Sequence, residues 1–141
     1  MDKNTMYKLS YGLFVVTASS EGKDNGCITN TAIQVTSDPN RISLAVNKSN
    51  YTHDMIIDTG VFTVSIISEQ ASFDLFKHFG FQSGRDVDKF ADYTDCKRAS
   101  NGTMIVTSGT SGYISAKVTQ TIDLGTHTLF IADVTDMEVL S

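Results

Sequence analysis

Four stretches of the chain hold polar and charged groups beyond what a plain fold needs. The first is Asn25 to Asp38, NGCITNTAIQVTSD, with Thr29, Asn30, Thr31, Gln34, Thr36 and Ser37. Small hydroxyls and carboxamides at this density suit a planar polar ligand with many donors and acceptors. They suit a polar edge strand with a Thr-rich solvent face equally well. The second is Asn47 to Thr52, NKSNYT, where a strand runs into a helix. Free N–H groups at a helix N-terminus attract an anion, and Lys48 adds positive charge. Simple capping by Ser49 or Asn50 explains the same residues. The third is Phe79 to Phe90, FGFQSGRDVDKF, with Arg85 and Lys89 among Asp86 and Asp88. It reads as a ligand clamp or as a solvated loop with weak local ion pairs. The fourth is Gly125-Thr126-His127-Thr128, with His127 just ahead of a strand.

Other chemistry finds no motif. His53, His78 and His127 have no metal-ligand spacing, so no metal is assigned. No Gly-x-Ser-x-Gly elbow and no P-loop occurs. Cys27 and Cys96 form no CxxC pair, and nothing places a base beside Cys27, which is expected to be a buried or pocket-side free thiol. His53 and His78 are expected at a helix surface or a partner contact.

These residues need elements to hold them, and strand patterns dominate. Strands are expected over Leu13 to Ala18 and Ile28 to Val35, with a turn at Asp24-Asn25-Gly26 between them. Alternation marks further strands around Ile42, Leu44 and Val46, around Phe62, Val64 and Ile66, and around Ile114, Ala116 and Val118. Leu129 to Val134 is the last. One helix is expected from Ser49 or Asn50 to about Asp58, stopped by Gly60. Another starts near Ser68 and carries Ala71, Leu75, Phe76 and Phe79 at helical spacing. Phe79 to Asn101 reads as a long functional loop. Six or so strands with two short helices suggest a closed or split β-barrel.

The 141 residues are 40% hydrophobic and 19% charged, which fits one ordered domain over 1–141. A net charge of −5 disfavours nucleic acid as a partner. No stretch approaches a membrane span, and the N-terminus lacks a signal-peptide pattern, so a cytoplasmic location is expected.

The ordered set YGLFVVTA, NGCITNTAIQVTSDP, SLAVNKSNYTHDMI, GVFTVSII, FGFQSGRDVDKF and GTHTLFIADV resembles the flavin reductase-like family, the FMN-binding split barrels. It is most similar to the flavin domains of rubredoxin fusions and to flavoredoxin-like proteins. The resemblance implies a mainly β, Greek-key split barrel with two or three short helices, forming a homodimer with FMN at the interface. It implies that Thr29, Asn30, Thr31, Ala32, Ile33 and Gln34 lie along the flavin ring and ribityl chain. Asn47, Lys48, Ser49, Tyr51 and Thr52 would hold the phosphate, and Ser83, Arg85 and Lys89 would help close the site. His127 would lie near a nicotinamide donor, NADH or NADPH; Thr126 stands where the reductases carry an Asp. Electrons would pass to a flavin or protein acceptor. Rubredoxin-type cysteine pairs are missing, so a rubredoxin partner would be a separate chain. The alternative is an electron-transfer flavoprotein reduced by a protein partner, without direct NAD(P)H activity.

Overall fold

A computed structural model describes all of residues 1–141. A short 3-10 helix, Lys3–Lys8, leads into β1 (Phe14–Ser20), β2 (Lys23–Thr29), β3 (Ile33–Ser37) and β4 (Asn40–Asn47). Next come α1 (Tyr51–Thr59), β5 (Val61–Ile67), α2 (Phe73–Gly80), β6 (Cys96–Arg98), β7 (Met104–Val106), β8 (Thr110–Asp123) and β9 (His127–Val139). Seven strands form one antiparallel sheet in the order β2-β1-β5-β8-β9-β4-β3, and β6 pairs with β7 alone.

This order forces curvature. The two edge strands, β2 and β3, are consecutive in the chain and joined only by Asn30, Thr31 and Ala32. Four Cα–Cα steps of about 3.8 Å reach at most about 15 Å. Six strand spacings of about 4.8 Å would set the edges of a flat sheet about 29 Å apart. The sheet therefore curls into a split barrel, with α1 packed on β1, β2 and β4 across the split. The core confirms the closure. Val16, Cys27, Leu44, Ile56, Phe62, Ala116 and Phe130 come from six strands and α1, yet they form one buried cluster. A second cluster, Val15, Leu75, Phe79 and Val106, lies on the outer face of β1 under α2. No helix is long and apolar enough to cross a membrane.

Several expectations are corrected. Asp24, Asn25 and Gly26 lie within β2, not in a turn. The β1–β2 hairpin turns instead at Glu21 and Gly22, whose φ of 52° and 78° match a two-residue hairpin loop. Gly26 serves packing: a Cβ there would stand 3.1 Å from Thr17 Cγ2 and 3.3 Å from the Phe79 ring. The run from Ile28 to Val35 is two strand ends, broken at Asn30–Ala32, where the Thr31 hydroxyl donates to the Ala45 carbonyl at 2.7 Å. The second helix begins at Phe73, because Ser68 to Ser72 is taken up by a turn closed by Ala71 N–H on Ser68 O. The long loop after Phe79 contains β6. His53 is 8% exposed rather than on a helix surface, with Nε2 2.8 Å from the Thr128 hydroxyl. His78 Nε2 meets the Lys89 carbonyl, and its ring stacks on Tyr93.

Candidate functional site

The β4–α1 turn is built by its own side chains. Asn50 caps α1, its Oδ1 accepting the Thr52 N–H at 2.9 Å. Ser49 donates both its backbone N–H, at 2.9 Å, and its hydroxyl, at 2.8 Å, to Asn47 Oδ1. Two donors thus converge on one oxygen at the mouth of a helix. Beside this turn lies a cavity of about 440 Å³. Its walls are Cys27 and Ile28 of β2, Asn47 and Ser49 to Tyr51 of the turn, Phe79 to Gly84 at the end of α2, and Lys89.

Lys89 is the buried cation of this wall. It is 3% exposed, and its ammonium donates to the carbonyls of Gly26 and Phe79, each at 2.8 Å. Both acceptors lie where regular structure leaves carbonyls spare: an edge strand and the last turn of a helix. Burial pushes the Lys89 pKa down, opposed by the nearby Cys27. Burial likewise pushes the Cys27 thiol up, against the Thr52 hydroxyl and the Lys89 charge. Cys27 is therefore a protonated thiol in the cavity wall.

The segment from Gln82 to Lys89 crosses the cavity as a strap. Arg85 donates to Asp54 at 2.7 Å and lies 5.3 Å from the centre of the Tyr51 ring. The Arg85 hydrogen bond, and then His53, hold the Asp54 carboxyl below the usual carboxylate range. Beneath Gly84 lies Asn25, 1% exposed, whose Nδ2 donates to Thr52 Oγ1 at 3.0 Å while its Oδ1 has no partner.

The candidate residues from the sequence divide among several places. Asn47, Ser49, Tyr51, Ser83 and Lys89 meet at the cavity. Thr52 is fully buried beneath it and faces Asn25. Lys48 is drawn elsewhere: its ammonium pairs with Asp123 at the end of β8 at 2.6 Å, and that carboxylate also accepts the Gly125 N–H. Arg85 is held on the outer side of the strap by Asp54. Asn30, Thr31, Ala32 and Ile33 line a separate hollow of about 780 Å³ with Met6, Tyr7 and Leu9 to Gly12. Thr29 bonds Thr31, and Gln34 bonds Asn40 on the exposed β3 edge. His127 stands opposite Asn47 in the β4–β9 ladder, with Nδ1 2.8 Å from the Thr126 hydroxyl. It therefore neighbours the turn without lining the cavity. Asn50, Phe79, Gly80, Phe81, Gln82 and Gly84 line the wall from within the stretches Asn47 to Thr52 and Phe79 to Phe90 that the sequence pointed to, but were not singled out there. The glycines in FGFQSG were the available signal, since a residue lacking a side chain marks close approach.

Residues 6–141 match the model of the flavin reductase like domain. The chain belongs to the flavin reductase-like family. This flavin reductase-like domain is 39% identical over 140 residues to the high molecular weight rubredoxin of Moorella thermoacetica, spanning 99% of the chain but 61% of that protein. It is also 39% identical to the ferric-chelate reductase (NAD(P)H) of Archaeoglobus fulgidus, covering 99% of the chain and 82% of that protein. Its fold matches the NADH:FAD oxidoreductase of Streptomyces globisporus with a TM-score of 0.85 and 21% identity, over 97% of this chain and 80% of the other. The FMN-binding protein from Thermus thermophilus gives a TM-score of 0.85 at 20% identity, over 98% and 75%.

Proposed function

We propose that this domain is an FMN-binding oxidoreductase that takes electrons from NADH or NADPH and passes them to a flavin or protein acceptor. The observation that carries the reading is the convergence of both Ser49 donors on Asn47 Oδ1, in the wall of a cavity that the buried Lys89 also lines. A phosphate oxygen is an acceptor of the same kind as that carboxamide oxygen, and a helix N-terminus favours its charge. Ser49 would turn these same two donors to the phosphate in place of Asn47 Oδ1. The hollow beside Asn30 to Ile33 begins two residues from Ile28, which lines the cavity. Bound FMN supplies the hydride and electron chemistry. The chain's own residues orient it: Ser49 and Lys89 fix its anionic end, Thr29 and Thr31 offer hydroxyls along its length, and His127 positions the donor.

The exposed Met6, Tyr7, Leu9, Tyr11 and Ile33 gather apolar surface around the larger hollow. Such a patch supports a homodimer in which a second copy covers it. The cytoplasm is the compartment that suits a free, reduced Cys27. The relation to a rubredoxin of which this chain spans only 61% supports a second reading, in which a protein partner such as rubredoxin exchanges electrons with the domain.

The binding test compares FMN with riboflavin. Ser49→Ala is expected to weaken FMN about ten-fold or more, since a charge-assisted hydrogen bond is worth about 1.5–3 kcal/mol, and to leave riboflavin nearly unchanged. Lys48→Ala, which frees Asp123, is expected to change FMN affinity less than Ser49→Ala. Equal losses for the two ligands place the phosphate elsewhere.

A further inference from the structure

The cavity beside the Asn47–Tyr51 turn ends at a residue with no side chain. Gly84 and Tyr51 line this cavity and also a neighbouring one of about 280 Å³, walled further by Lys23, Asp24 and the strap from Arg85 to Asp88. These two residues are the partition between the hollows. A Cβ built at Gly84 would lie 2.2 Å from Asn25 Oδ1, 2.4 Å from its Cγ and 2.6 Å from its Nδ2. Asn25 cannot yield, because it is 1% exposed and tied through Nδ2 to the fully buried Thr52. Only glycine lets the strap lie this low. Lys89 anchors the far end of the strap through the Gly26 and Phe79 carbonyls, but over Gly84 itself the hold is slight: the Arg85–Asp54 pair is about half exposed on both sides, and such pairs are individually weak. The lowered strap also strands Asn25 Oδ1, the buried side-chain oxygen that lacks a donor.

We propose that Gly84 sets which flavin nucleotide the domain accepts, by letting the strap close the cavity just beyond its phosphate-holding turn and so favouring a mononucleotide over a dinucleotide. The inference rests on the reading of that turn given above. With the strap raised, the two hollows join into one trough that continues past Ser49 and Tyr51. Asn25 Oδ1 then lies open on its floor as an acceptor for a ribose hydroxyl or an adenine amino group. That is the chemistry of the second half of a dinucleotide.

The test measures dissociation constants for riboflavin, FMN and FAD on the parent protein and on Gly84→Ala, with circular dichroism to verify the fold. The parent is expected to bind FMN at least about ten-fold more tightly than FAD, roughly 1.4 kcal/mol. In Gly84→Ala that ratio is expected to fall to about three-fold or less, mainly through tighter FAD binding, roughly 0.7 kcal/mol remaining. Adding Asn25→Ala to Gly84→Ala removes the colliding carboxamide and is expected to restore the FMN preference. If Gly84→Ala does not fold, Asp54→Ala, which removes the acceptor that holds Arg85, is expected to shift the ratio in the same direction. A parent that binds riboflavin as tightly as FMN overturns the phosphate turn, and the proposal falls with it. A parent that prefers FMN to riboflavin, with an FMN-to-FAD ratio that no folded variant changes, overturns the strap proposal alone.

Discussion

Replacing Lys89 with methionine tests how the strap is anchored. Methionine keeps most of the length of the side chain and removes the ammonium. The carbonyls of Gly26 and Phe79 then lose donors held at 2.8 Å. Each buried acceptor left unpaired costs about 1–3 kcal/mol. Against this, the variant no longer buries a charge, which returns part of the loss. A net destabilisation of about 2–4 kcal/mol is expected in urea unfolding. For a chain of this size that is a fall in Tm of about 6–15 °C. The pH dependence supplies a second reading of the same group. Because burial holds the Lys89 pKa below its ordinary value, the unfolded chain keeps that proton after the native state has released it. The parent therefore gains stability from this group as pH rises from the depressed value toward about 10.4, the ordinary value for lysine. Lys89→Met lacks that gain, so the difference between the two widens over this window. A loss of about 0.5 kcal/mol or less, typical of a surface substitution, would refute the anchoring of Lys89.

Asn50→Ala removes the cap of α1 and is expected to cost about 0.5–2 kcal/mol in urea unfolding, with FMN affinity falling as the turn loosens. His127→Ala is expected to slow flavin reduction by NAD(P)H in stopped flow while FMN affinity stays nearly constant; loss of FMN with a normal rate per bound flavin counts against a positioning role. Tyr113, whose hydroxyl donates to Asp136 at 2.9 Å, is pushed up to about 12 by that hydrogen bond and then by burial. The native state keeps a proton that the unfolded chain releases near 10, so stability falls as pH rises through that interval. Tyr113→Phe is expected to flatten this alkaline slope, and an unchanged slope contradicts the assignment.

The strand cores were readable because alternation reports burial directly. Leu44 and Val46, and Phe62 and Val64, face the common core as their spacing predicts. The helix over the split was readable from Asn50 and Gly60, a cap and a left-handed stop that act within a few residues. The hairpin was misplaced because Asn25-Gly26 has turn chemistry, yet Gly26 is needed where the Phe79 ring packs, a contact 53 residues away in sequence that no local pattern encodes. The same holds at the site. Asn47, Ser49 and Tyr51 reach the cavity wall through their own turn, whereas Lys48 is paired with Asp123, which arrives from the far end of β8. His53 looked like a surface residue until β9 brought Thr128 against it. The wall residues after Phe79 lay in a segment with no period, and only its docking against β2 gives them a place.

In the proposed function, electrons enter through a flavin held at the split of the barrel. The most direct measurement is anaerobic mixing of the FMN-loaded protein with NADH and, separately, with NADPH, while following the flavin absorbance. The expected result is bleaching within a catalytic time by at least one of the two nucleotides. A protein that holds FMN but stays oxidised with both, and is bleached only by a reduced rubredoxin or ferredoxin system, would contradict it.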